Sequence, residues 1–283
     1  MADPKAAVLG AGTMGHGIAQ LLAQAGWETH VYDPVAEALA RGIEKARAGL
    51  LTAAEKGKLS PEAARAAQAR LVAAPDLSSA AAGAELVIEA GPEDPALKAE
   101  TFRALSRVAP ETAVLATNTS SLPVTAIAAA AARPERVVGL HFFNPAPVMK
   151  LVEIVRAEQT SPRTLAFARA AAEKMGKQVV EVRDSPGFAS SRLGIALAME
   201  AIRMVEEGVA APADIDRAMK LGYGHPMGPL ELTDLVGLDI RLSIAEILDR
   251  ELGGHRFHPP QLLRRLVRAG KLGRKTGEGF YKY

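Results

Sequence analysis

Short apolar runs alternate with longer, more polar segments over residues 5–183 of the chain. The apolar runs have the length and the β-branched content of buried strands, whereas the segments between them are rich in Ala, Leu, Lys and Glu, as helices are. This alternation predicts an α/β fold with a doubly wound, mostly parallel sheet covered by helices. The predicted strands are residues 6–9, 28–32, 86–89, 113–117, 137–141, 150–155 and 178–182.

The segment between the second and third predicted strands is longer than one crossover helix requires. Its pattern predicts two helices, residues 35–55 and 61–70, which are interrupted at Gly57, with Ser60 as a cap ahead of Pro61. We expect this helical hairpin, residues 35–74, to project from the sheet.

The alternation of strands and helices ends at residues 184–187, and the rest of the chain has only helical patterns separated by Gly and Pro. The sequence therefore predicts an α/β domain over residues 1–184 and a smaller all-α domain over residues 185–283. The predicted helices of the second domain are residues 188–207, 212–221, 229–252 and 259–269.

Composition and charge narrow the classes of function. A chain of 283 residues, 48% hydrophobic and 23% charged, has the composition expected of a globular protein with two domains. The net charge of +2 favours neither a nucleic-acid partner nor a membrane surface, although it suits an anionic small molecule. The absence of cysteine excludes disulfides, thiolate nucleophiles, iron–sulfur clusters and cysteine zinc sites, and we predict no metal. No signal peptide or membrane span is evident, so we expect a cytoplasmic protein.

A glycine-rich turn follows the first predicted strand and opens a helix. The first glycine permits a tight turn, the second lets the backbone approach a pyrophosphate, and the third lets helix and strand pack closely. Asp33 ends the next strand, where its carboxylate would accept hydrogen bonds from the ribose hydroxyls of the adenosine. The same charge would repel a 2′-phosphate, so the pattern predicts NAD rather than NADP. The alternative is a structural turn beside a solvated Asp33. The candidate cofactor contacts in the turn are Gly10, Gly12, Thr13, Met14 and Gly15.

Polar clusters follow or occupy later strands, at the sheet edge where open α/β folds bind ligands. Oxidation of an alcohol needs a group that takes the hydroxyl proton while hydride leaves the carbon. Histidine, with an ordinary pKa of about 6.5, suits that transfer in both directions. The clusters are residues 118–121, residues 141–145 and Glu153.

His141 and Glu153 are equally far along the chain from Pro147. A hairpin that turns there without a bulge would place the two side chains opposite each other, with Cβ atoms about 4.5–5.5 Å apart. Glu153 would then fix the tautomer of the imidazole and stabilise the imidazolium, as the acid of a hydrolase triad does. The alternative for His141 is a structural histidine at a strand end.

Several of these motifs occur together in one known family. The glycine turn, the cluster at 118–121, the block from His141 to Glu153 and residues 184–188 resemble the L-3-hydroxyacyl-CoA dehydrogenase family, which includes the bacterial 3-hydroxybutyryl-CoA dehydrogenases. The resemblance continues through residues 219–222, 226–229 and 275–281. It implies a Rossmann-like NAD-binding domain, a helical second domain and NAD-dependent oxidation of short-chain (S)-3-hydroxyacyl-CoA, as in fatty-acid β-oxidation, or the reverse reduction.

The resemblance also implies roles for individual residues. His141 is the catalytic acid and base, Glu153 is its partner, and Ser120 donates a hydrogen bond near the 3-oxygen of the substrate. The alternative role for Ser120 is a helix cap. For Glu93 and Lys98, which the resemblance places near the cofactor, the alternative is a solvated position at the start of a helix. The implied cofactor contacts beyond the glycine turn are Glu93, Lys98, Asn118 and Asn144, with Asn118 nearer to the nicotinamide.

One position departs from the family pattern. Where the family has an asparagine before Arg-Leu, this chain has Ser191 before Arg192. Serine offers a shorter reach and one donor, whereas asparagine offers an acceptor and two donors. We place Ser191 among the catalytic residues and expect the difference to affect rate or substrate preference. Arg192 is a candidate cation for a dicarboxylic acyl group.

The remaining expectations concern coenzyme A, assembly and alternative functions. Lys45, Lys56 and Lys58 of the helical hairpin are candidate contacts to coenzyme A phosphates, the alternative being a solvated helical face. The resemblance implies a homodimer through the C-terminal helices, with no nucleic-acid or membrane partner. Alternative functions are a β-hydroxyacid dehydrogenase of the 3-hydroxyisobutyrate type, which acts on a free acid, and a catalytically silent NAD-binding protein.

Overall fold

The computed structural model describes residues 3–283, whose contacts divide into two units, one ending at Asp184 and the other spanning Ser185–Tyr283. In the first unit the apolar runs form one sheet. Its strands are β1 (Lys5–Leu9), β2 (Glu28–Tyr32), β3 (Leu71–Ala73), β4 (Leu86–Glu89), β5 (Val114–Thr117), β6 (Val137–Phe142), β7 (Leu151–Arg156) and β8 (Gln178–Arg183).

The sheet has the strand order β3-β2-β1-β4-β5-β6-β7-β8, and every pairing is parallel except the one between β6 and β7. Strands β4, β5 and β6 are buried along their whole length, as expected of a parallel sheet covered by helices. The order reverses between β1 and β4, which is the switch point where open α/β sheets bind ligands. The predicted doubly wound, mostly parallel sheet is confirmed.

Helices connect the strands, and several begin at a side-chain cap. Ser60, Asp76, Asp94 and Ser161 each accept a hydrogen bond from the backbone N–H three residues ahead. Each cap satisfies an N–H group that the first turn of a helix leaves unpaired. The helices of this unit are α1 (Gly15–Gln24), α2 (Ala36–Glu55), α3 (Pro61–Ala69), α4 (Leu77–Ala81), α5 (Pro95–Val108), α6 (Val124–Ala128) and α7 (Pro162–Lys174).

The segment between β2 and β4 differs from the prediction in two ways. Residues 71–73 form β3, an edge strand that is too short to show a pattern in the sequence. The helical hairpin of α2 and α3 packs against α1, a contact that was not predicted. Gly42 and Gly49 permit this, because a side chain at either position would collide with Ala11 or Gln20. Such a contact depends on tertiary packing, which the helical pattern does not encode.

The second unit is all helical and has its own apolar core, which includes Ile195, Met199, Ile202 and Leu230. The predicted helix 229–252 is in fact two helices, since Gly237 has a φ of +107° and interrupts the helical conformation. Across residues 3–283, no helix combines the length and the apolar character that crossing a membrane requires. The helices of this unit are α8 (Ser190–Glu206), α9 (Pro212–Tyr223), α10 (Pro229–Val236), α11 (Leu238–Leu252) and α12 (Gln261–Arg268).

Candidate active site

The glycine turn joins β1 to α1, and two of its glycines have no room for a side chain. Gly10 has a φ of +96°, a left-handed conformation that favours glycine, and a side chain there would meet the carbonyl group of Ala90. A side chain at Gly15 would overlap the carbonyl oxygen of Gly10, whereas nothing lies within 4 Å of the same position at Gly12. The outer glycines therefore make the turn possible, and Gly12 leaves its backbone open to a ligand.

The start of α1 is suited to an anion. Met14 precedes the helix and makes no side-chain cap, and the first turn contains no acidic residue. Thr13 is exposed beside it. The amides of this turn can therefore donate to phosphate oxygens, which the helix dipole also favours. The turn fits the pyrophosphate of a dinucleotide.

Asp33 follows β2, and its carboxylate is fixed by backbone hydrogen bonds. The amide of Ala11 donates to Oδ2 at 2.8 Å, and the amide of Val35 donates to Oδ1 at 2.9 Å. These bonds hold the carboxylate beside the glycine turn, while each oxygen keeps capacity for a further donor. A ribose diol would supply such donors, and a 2′-phosphate would be repelled. The position of Asp33 thus fits NAD.

His141 and Glu153 face each other across the antiparallel strands β6 and β7. They are directly opposed in the register, as their spacing about Pro147 predicts. The distance from Nδ1 of His141 to Oε2 of Glu153 is 2.8 Å, and the two residues are 6% and 1% exposed. The ring of Phe143 lies against the imidazole, with 4.6 Å between the ring centroids. A carboxylate at Nδ1 makes Nε2 the nitrogen that exchanges protons with a substrate, and it stabilises the imidazolium.

The carboxylate of Glu93 organises the loop at residues 118–121. Its Oε1 accepts hydrogen bonds from Oγ1 of Thr119 at 2.6 Å, from the amide of Ser120 at 2.9 Å and from the amide of Ser121 at 3.0 Å. The hydroxyl of Ser120 lies 3.4 Å from the same oxygen, which is long for a hydrogen bond. This hydroxyl is therefore weakly held and can turn toward a ligand. The cap of this turn is Thr119, whose Oγ1 accepts from the amide of Leu122 at 2.9 Å.

Glu93 is charged at neutral pH. Partial burial raises its pKa, but the hydrogen bond from Thr119, the charge of Lys98 and the donors of Ser120 and Ser121 outweigh that effect. The pKa of Glu93 therefore lies below its ordinary value. A full negative charge at this position strengthens the hydrogen bonds that shape the loop.

Lys98 is buried in an ion pair, so the alternative of a solvated helix start is wrong for this residue. Its Nζ donates to both carboxylate oxygens of Glu89 at 2.8 Å, and it lies 3.6 Å from Oε2 of Glu93. Glu89 also accepts from Oγ1 of Thr117 at 2.7 Å. Glu89 and Thr117 were not identified from the sequence, although an acidic residue within the apolar run 86–89 was a usable signal.

Asn118 connects two strands of the site. Its Oδ1 accepts a hydrogen bond from the amide of Phe142 at 2.9 Å, which ties the end of β5 to the end of β6. Asn144 is exposed in the turn that follows β6. Because β1, β4, β5 and β6 are parallel, their carboxyl ends bring the glycine turn, Glu93, Asn118 and His141 to one edge of the sheet.

The predicted coenzyme A contacts lie elsewhere on this unit. Lys45, Lys56 and Lys58 are exposed on α2 and just beyond it. Within residues 3–283 none of the three forms an ion pair. Their contact with a phosphate stays a prediction.

Ser191 and Arg192 lie in the first turn of α8, in the helical unit. Ser191 is half-buried, and its side chain makes no hydrogen bond to any other described residue. Nη1 of Arg192 donates to Oγ of Ser185 at 3.3 Å. The part of Ser191 in catalysis stays a prediction.

Comparisons with known proteins cover the whole chain. The model of the NAD-binding domain of 3-hydroxyacyl-CoA dehydrogenase matches residues 5–185, and the model of its C-terminal domain matches residues 187–283. A Bacillus subtilis protein named as a probable 3-hydroxybutyryl-CoA dehydrogenase is 49% identical over 276 residues, which are 98% of this chain and 96% of the relative. The 3-hydroxyadipyl-CoA dehydrogenase of Escherichia coli K12 is 44% identical over 278 residues, which are 98% of this chain and 58% of that protein.

A solved structure gives the same result. The (S)-3-hydroxybutyryl-CoA dehydrogenase of Ralstonia eutropha is 38% identical, with a TM-score of 0.95 and coverage of 99% of both chains. Sequence and fold therefore agree over both units, and NAD is the cofactor of the domain that matches the first one. The chain belongs to the 3-hydroxyacyl-CoA dehydrogenase family.

Proposed function

We propose that the chain oxidises (S)-3-hydroxyacyl-CoA to 3-ketoacyl-CoA with NAD, or catalyses the reverse reduction, on short acyl chains such as 3-hydroxybutyryl. The observation that carries this proposal is the buried pair of His141 and Glu153, 2.8 Å apart, at the sheet edge that also holds the dinucleotide turn. The pair supplies a proton acceptor, and the turn supplies the place for a hydride acceptor.

The chemistry follows from the position of the pair. Bound at the glycine turn, NAD would supply the acceptor for the hydride that leaves C3 of the hydroxyacyl group. His141 accepts the hydroxyl proton at Nε2, so the C–H and O–H bonds break and a carbonyl forms. Glu153 stabilises the imidazolium through Nδ1, as a buried carboxylate does in a hydrolase triad. In the reverse direction the imidazolium returns the proton to the oxygen.

Ser120 supports this step from the loop that Glu93 holds. Its weakly bound hydroxyl is the donor for the 3-oxygen, and Asn118 keeps the loop beside β6. A hydrogen bond aimed at an oxygen that gains negative charge stabilises the transition state. Ser191, at the position where the family has an asparagine, offers one donor with a shorter reach and affects the rate or the substrate preference.

The finer points of recognition and assembly are part of the same proposal. Lys45, Lys56 and Lys58 contact the phosphates of coenzyme A, which their exposure allows. The protein is a cytoplasmic homodimer through its C-terminal helices. The dimer is supported by three large side chains of the helical unit that are mostly exposed: Leu193 (72%), Leu221 (80%) and Tyr223 (78%). Exposed apolar surface of this kind often marks a protein–protein interface.

The first test is oxidation of NADH by acetoacetyl-CoA, compared with free acetoacetate and with NADPH. We expect turnover with the thioester and NADH, a loss of about 10³-fold or more in His141→Ala, and about 10²–10⁴-fold in Glu153→Gln. His258→Ala is the matched control, because His258 also lies 2.9 Å from a carboxylate, that of Asp249, but on the surface.

Two outcomes would favour the alternatives. Faster turnover of the free 3-keto acid than of the thioester would assign the chain to a β-hydroxyacid dehydrogenase. Tight NADH binding without turnover of either compound would assign it to a silent NAD-binding protein. Activity that survives in His141→Ala would contradict the role of the pair.

A further inference from the structure

Residues 143–150, the β6–β7 connection, join the two strands that carry the histidine and glutamate pair. The hydrogen bonds within this connection form one turn, in which the amides of Val148 and Met149 donate to the carbonyl oxygen of Pro145 at 2.9 and 3.0 Å. The carbonyl groups of Ala146 and Met149 take no part in that turn. Since backbone oxygens that leave water are almost always hydrogen-bonded, their donors have to come from another part of the chain.

One lysine supplies both donors. Lys177 lies between α7 and β8, and its Nζ donates to the carbonyl oxygen of Ala146 at 2.6 Å and to that of Met149 at 2.7 Å. The residue is 7% exposed, and no carboxylate in the part of the chain that the structure describes forms an ion pair with it. Lysine is seldom buried unless its charge has partners, and hydrogen bonds from an ammonium group are stronger than those between neutral groups. Lys177 therefore fixes the shape of the β6–β7 connection.

The β6–β7 connection contacts both parts of the candidate site. At its first residue, the ring of Phe143 lies against the imidazole of His141, with 4.6 Å between the ring centroids. At its centre, a Cβ atom added at Gly17 would lie 3.0 Å from Cδ of Pro147 and 3.2 Å from Cβ of Ala146. Gly17 is in the first turn of α1, the helix that begins at the glycine turn. The connection thus rests directly on the helix of the dinucleotide site.

We propose that Lys177 is a positioning residue for the reaction. By holding the carbonyl groups of Ala146 and Met149, it keeps the β6–β7 connection against α1, and this contact sets the position of the His141 imidazole relative to the glycine turn. Proton and hydride transfer need the reacting atoms about 3–3.5 Å apart, and a displacement of about 1 Å can cost roughly 10²-fold in rate. This inference rests on the proposed function.

The test measures the rate constant of a single turnover, in which excess enzyme saturated with NADH is mixed with acetoacetyl-CoA. In Lys177→Met this rate constant should fall about 10- to 100-fold, while the dissociation constant of NADH should stay within about twofold of the wild-type value. A merely structural role would lower the amplitude, which counts active molecules, and leave the rate constant unchanged. Lys174→Met is the matched control, because Lys174 is in the last turn of α7 but exposed, with its Nζ over the ring of Trp27.

Gly17→Ala disturbs the same contact from the opposite side. The added methyl group should push the β6–β7 connection away from α1 and lower the single-turnover rate constant about 3- to 30-fold. Because both substitutions act on one contact, the double variant Lys177→Met with Gly17→Ala should lose about as much as the weaker single variant, and not the product of the two losses. Lys174→Met combined with Gly17→Ala should behave as Gly17→Ala does.

If Lys177→Met does not fold, two variants still test the proposal. Gly17→Ala leaves the lysine in place and should lower the rate constant by itself. Lys177→Gln keeps an uncharged donor on a shorter side chain, so its rate constant should also fall, although less than the 10- to 100-fold expected of the methionine variant.

Three results would overturn the proposal. Lys177→Met could have a wild-type rate constant with a reduced amplitude, which would make the lysine structural only. The losses of Lys177→Met and Gly17→Ala could multiply, which would show that the two residues act independently. Lys177→Met could instead weaken NADH binding and leave the rate constant unchanged. Failure of the proposed function is distinct from all three, since the wild type would then oxidise no NADH with acetoacetyl-CoA.

Discussion

Glu153 and Glu93 both organise groups of the candidate site, but their surroundings give them different tasks. Glu153 is almost fully buried and lies 2.8 Å from Nδ1 of the His141 imidazole, so its charge acts on that ring. Glu93 is partly exposed and receives donors from three consecutive residues of a loop, so its charge shapes the backbone there. In the proposed mechanism, Glu153 assists proton transfer and Glu93 positions Ser120.

Glu93→Gln should lower the unfolding free energy of the protein by an amount that depends on pH. The amide retains the shape but loses the charge that strengthens the hydrogen bonds of the loop, so we expect a loss of roughly 1 kcal/mol of unfolding free energy at pH 7, after allowing for solvent screening. Because the pKa of Glu93 is depressed in the folded protein, the stabilisation is complete above the ordinary carboxyl pKa and is lost as the pH falls through the folded value.

Urea unfolding at neutral and acidic pH would measure this effect. The difference between wild type and Glu93→Gln should be full at pH 7 and should shrink as the pH falls below the ordinary carboxyl pKa and the wild-type carboxylate becomes protonated. Glu100→Gln, which alters an exposed carboxylate on α5, is the control and should change little at either pH. A difference that is the same at both pH values would show that the charge of Glu93 is not the cause.

At the scale of elements, the three glycines of the turn between β1 and α1 meet different structural requirements. Gly15 has no room for a side chain because Gly10 lies against it, whereas the position at Gly12 opens into free space. The same motif therefore contains one residue needed for the packing of helix on strand and another needed for the ligand.

Gly12→Ala and Gly15→Ala should separate these two requirements. Gly12→Ala should fold with nearly wild-type stability but bind NADH at least about tenfold more weakly, because the methyl group occupies the space into which a pyrophosphate fits. Gly15→Ala should lose about 1–3 kcal/mol or more of unfolding free energy, because its methyl group collides with the backbone of Gly10.

Titration of NADH fluorescence gives the affinity, and urea unfolding gives the stability. The two variants serve as controls for each other, since each should alter mainly one of the two quantities. Wild-type affinity for NADH in Gly12→Ala would mean that the dinucleotide does not use this turn.

At the scale of the whole molecule, the C-terminal tail is a structural part of the helical unit. Asp234, 1% exposed, accepts hydrogen bonds from the amides of Phe280 and Tyr281 at 2.9 Å. The hydroxyl of Tyr281 donates to Oδ2 of Asp216 at 2.6 Å, and that carboxylate also caps the start of α10. Two buried carboxylates thus fasten the end of the chain to α9 and α10. Burial and the hydrogen bond to Asp216 raise the pKa of the Tyr281 hydroxyl.

Tyr281→Phe should destabilise the helical unit. The substitution removes only the hydroxyl, so Asp216 loses one charge-assisted hydrogen bond, at a cost of about 1–3 kcal/mol of unfolding free energy. Hydrogen exchange should speed up in α9, α10 and the tail, while the amides of the sheet keep wild-type protection. Tyr32→Phe is the control, since Tyr32 lies in β2 of the sheet and outside the helical unit. An equal loss of protection in the sheet would contradict a local role for the tail.

The sequence by itself determined the parts of this protein that are local or symmetric along the chain. Apolar runs of strand length predicted the central strands, and the strand, turn and helix around Gly10 indicated a turn that fits a dinucleotide. Equal spacing about Pro147 predicted the register of His141 and Glu153, because an antiparallel hairpin converts equal distances along the chain into direct opposition. In each case the geometry is decided by neighbours in sequence.

Only the tertiary structure decided which polar groups are buried and what they meet. Lys98, for which the sequence left a solvated helix start as the alternative, is buried against Glu89. Arg241, which no sequence motif singled out, is buried with its Nε unpaired. The contact of α2 with α1 was likewise not predicted. Periodicity shows which face of a helix is apolar, but burial and charge pairing depend on which distant elements cover that face, and local sequence does not specify those contacts.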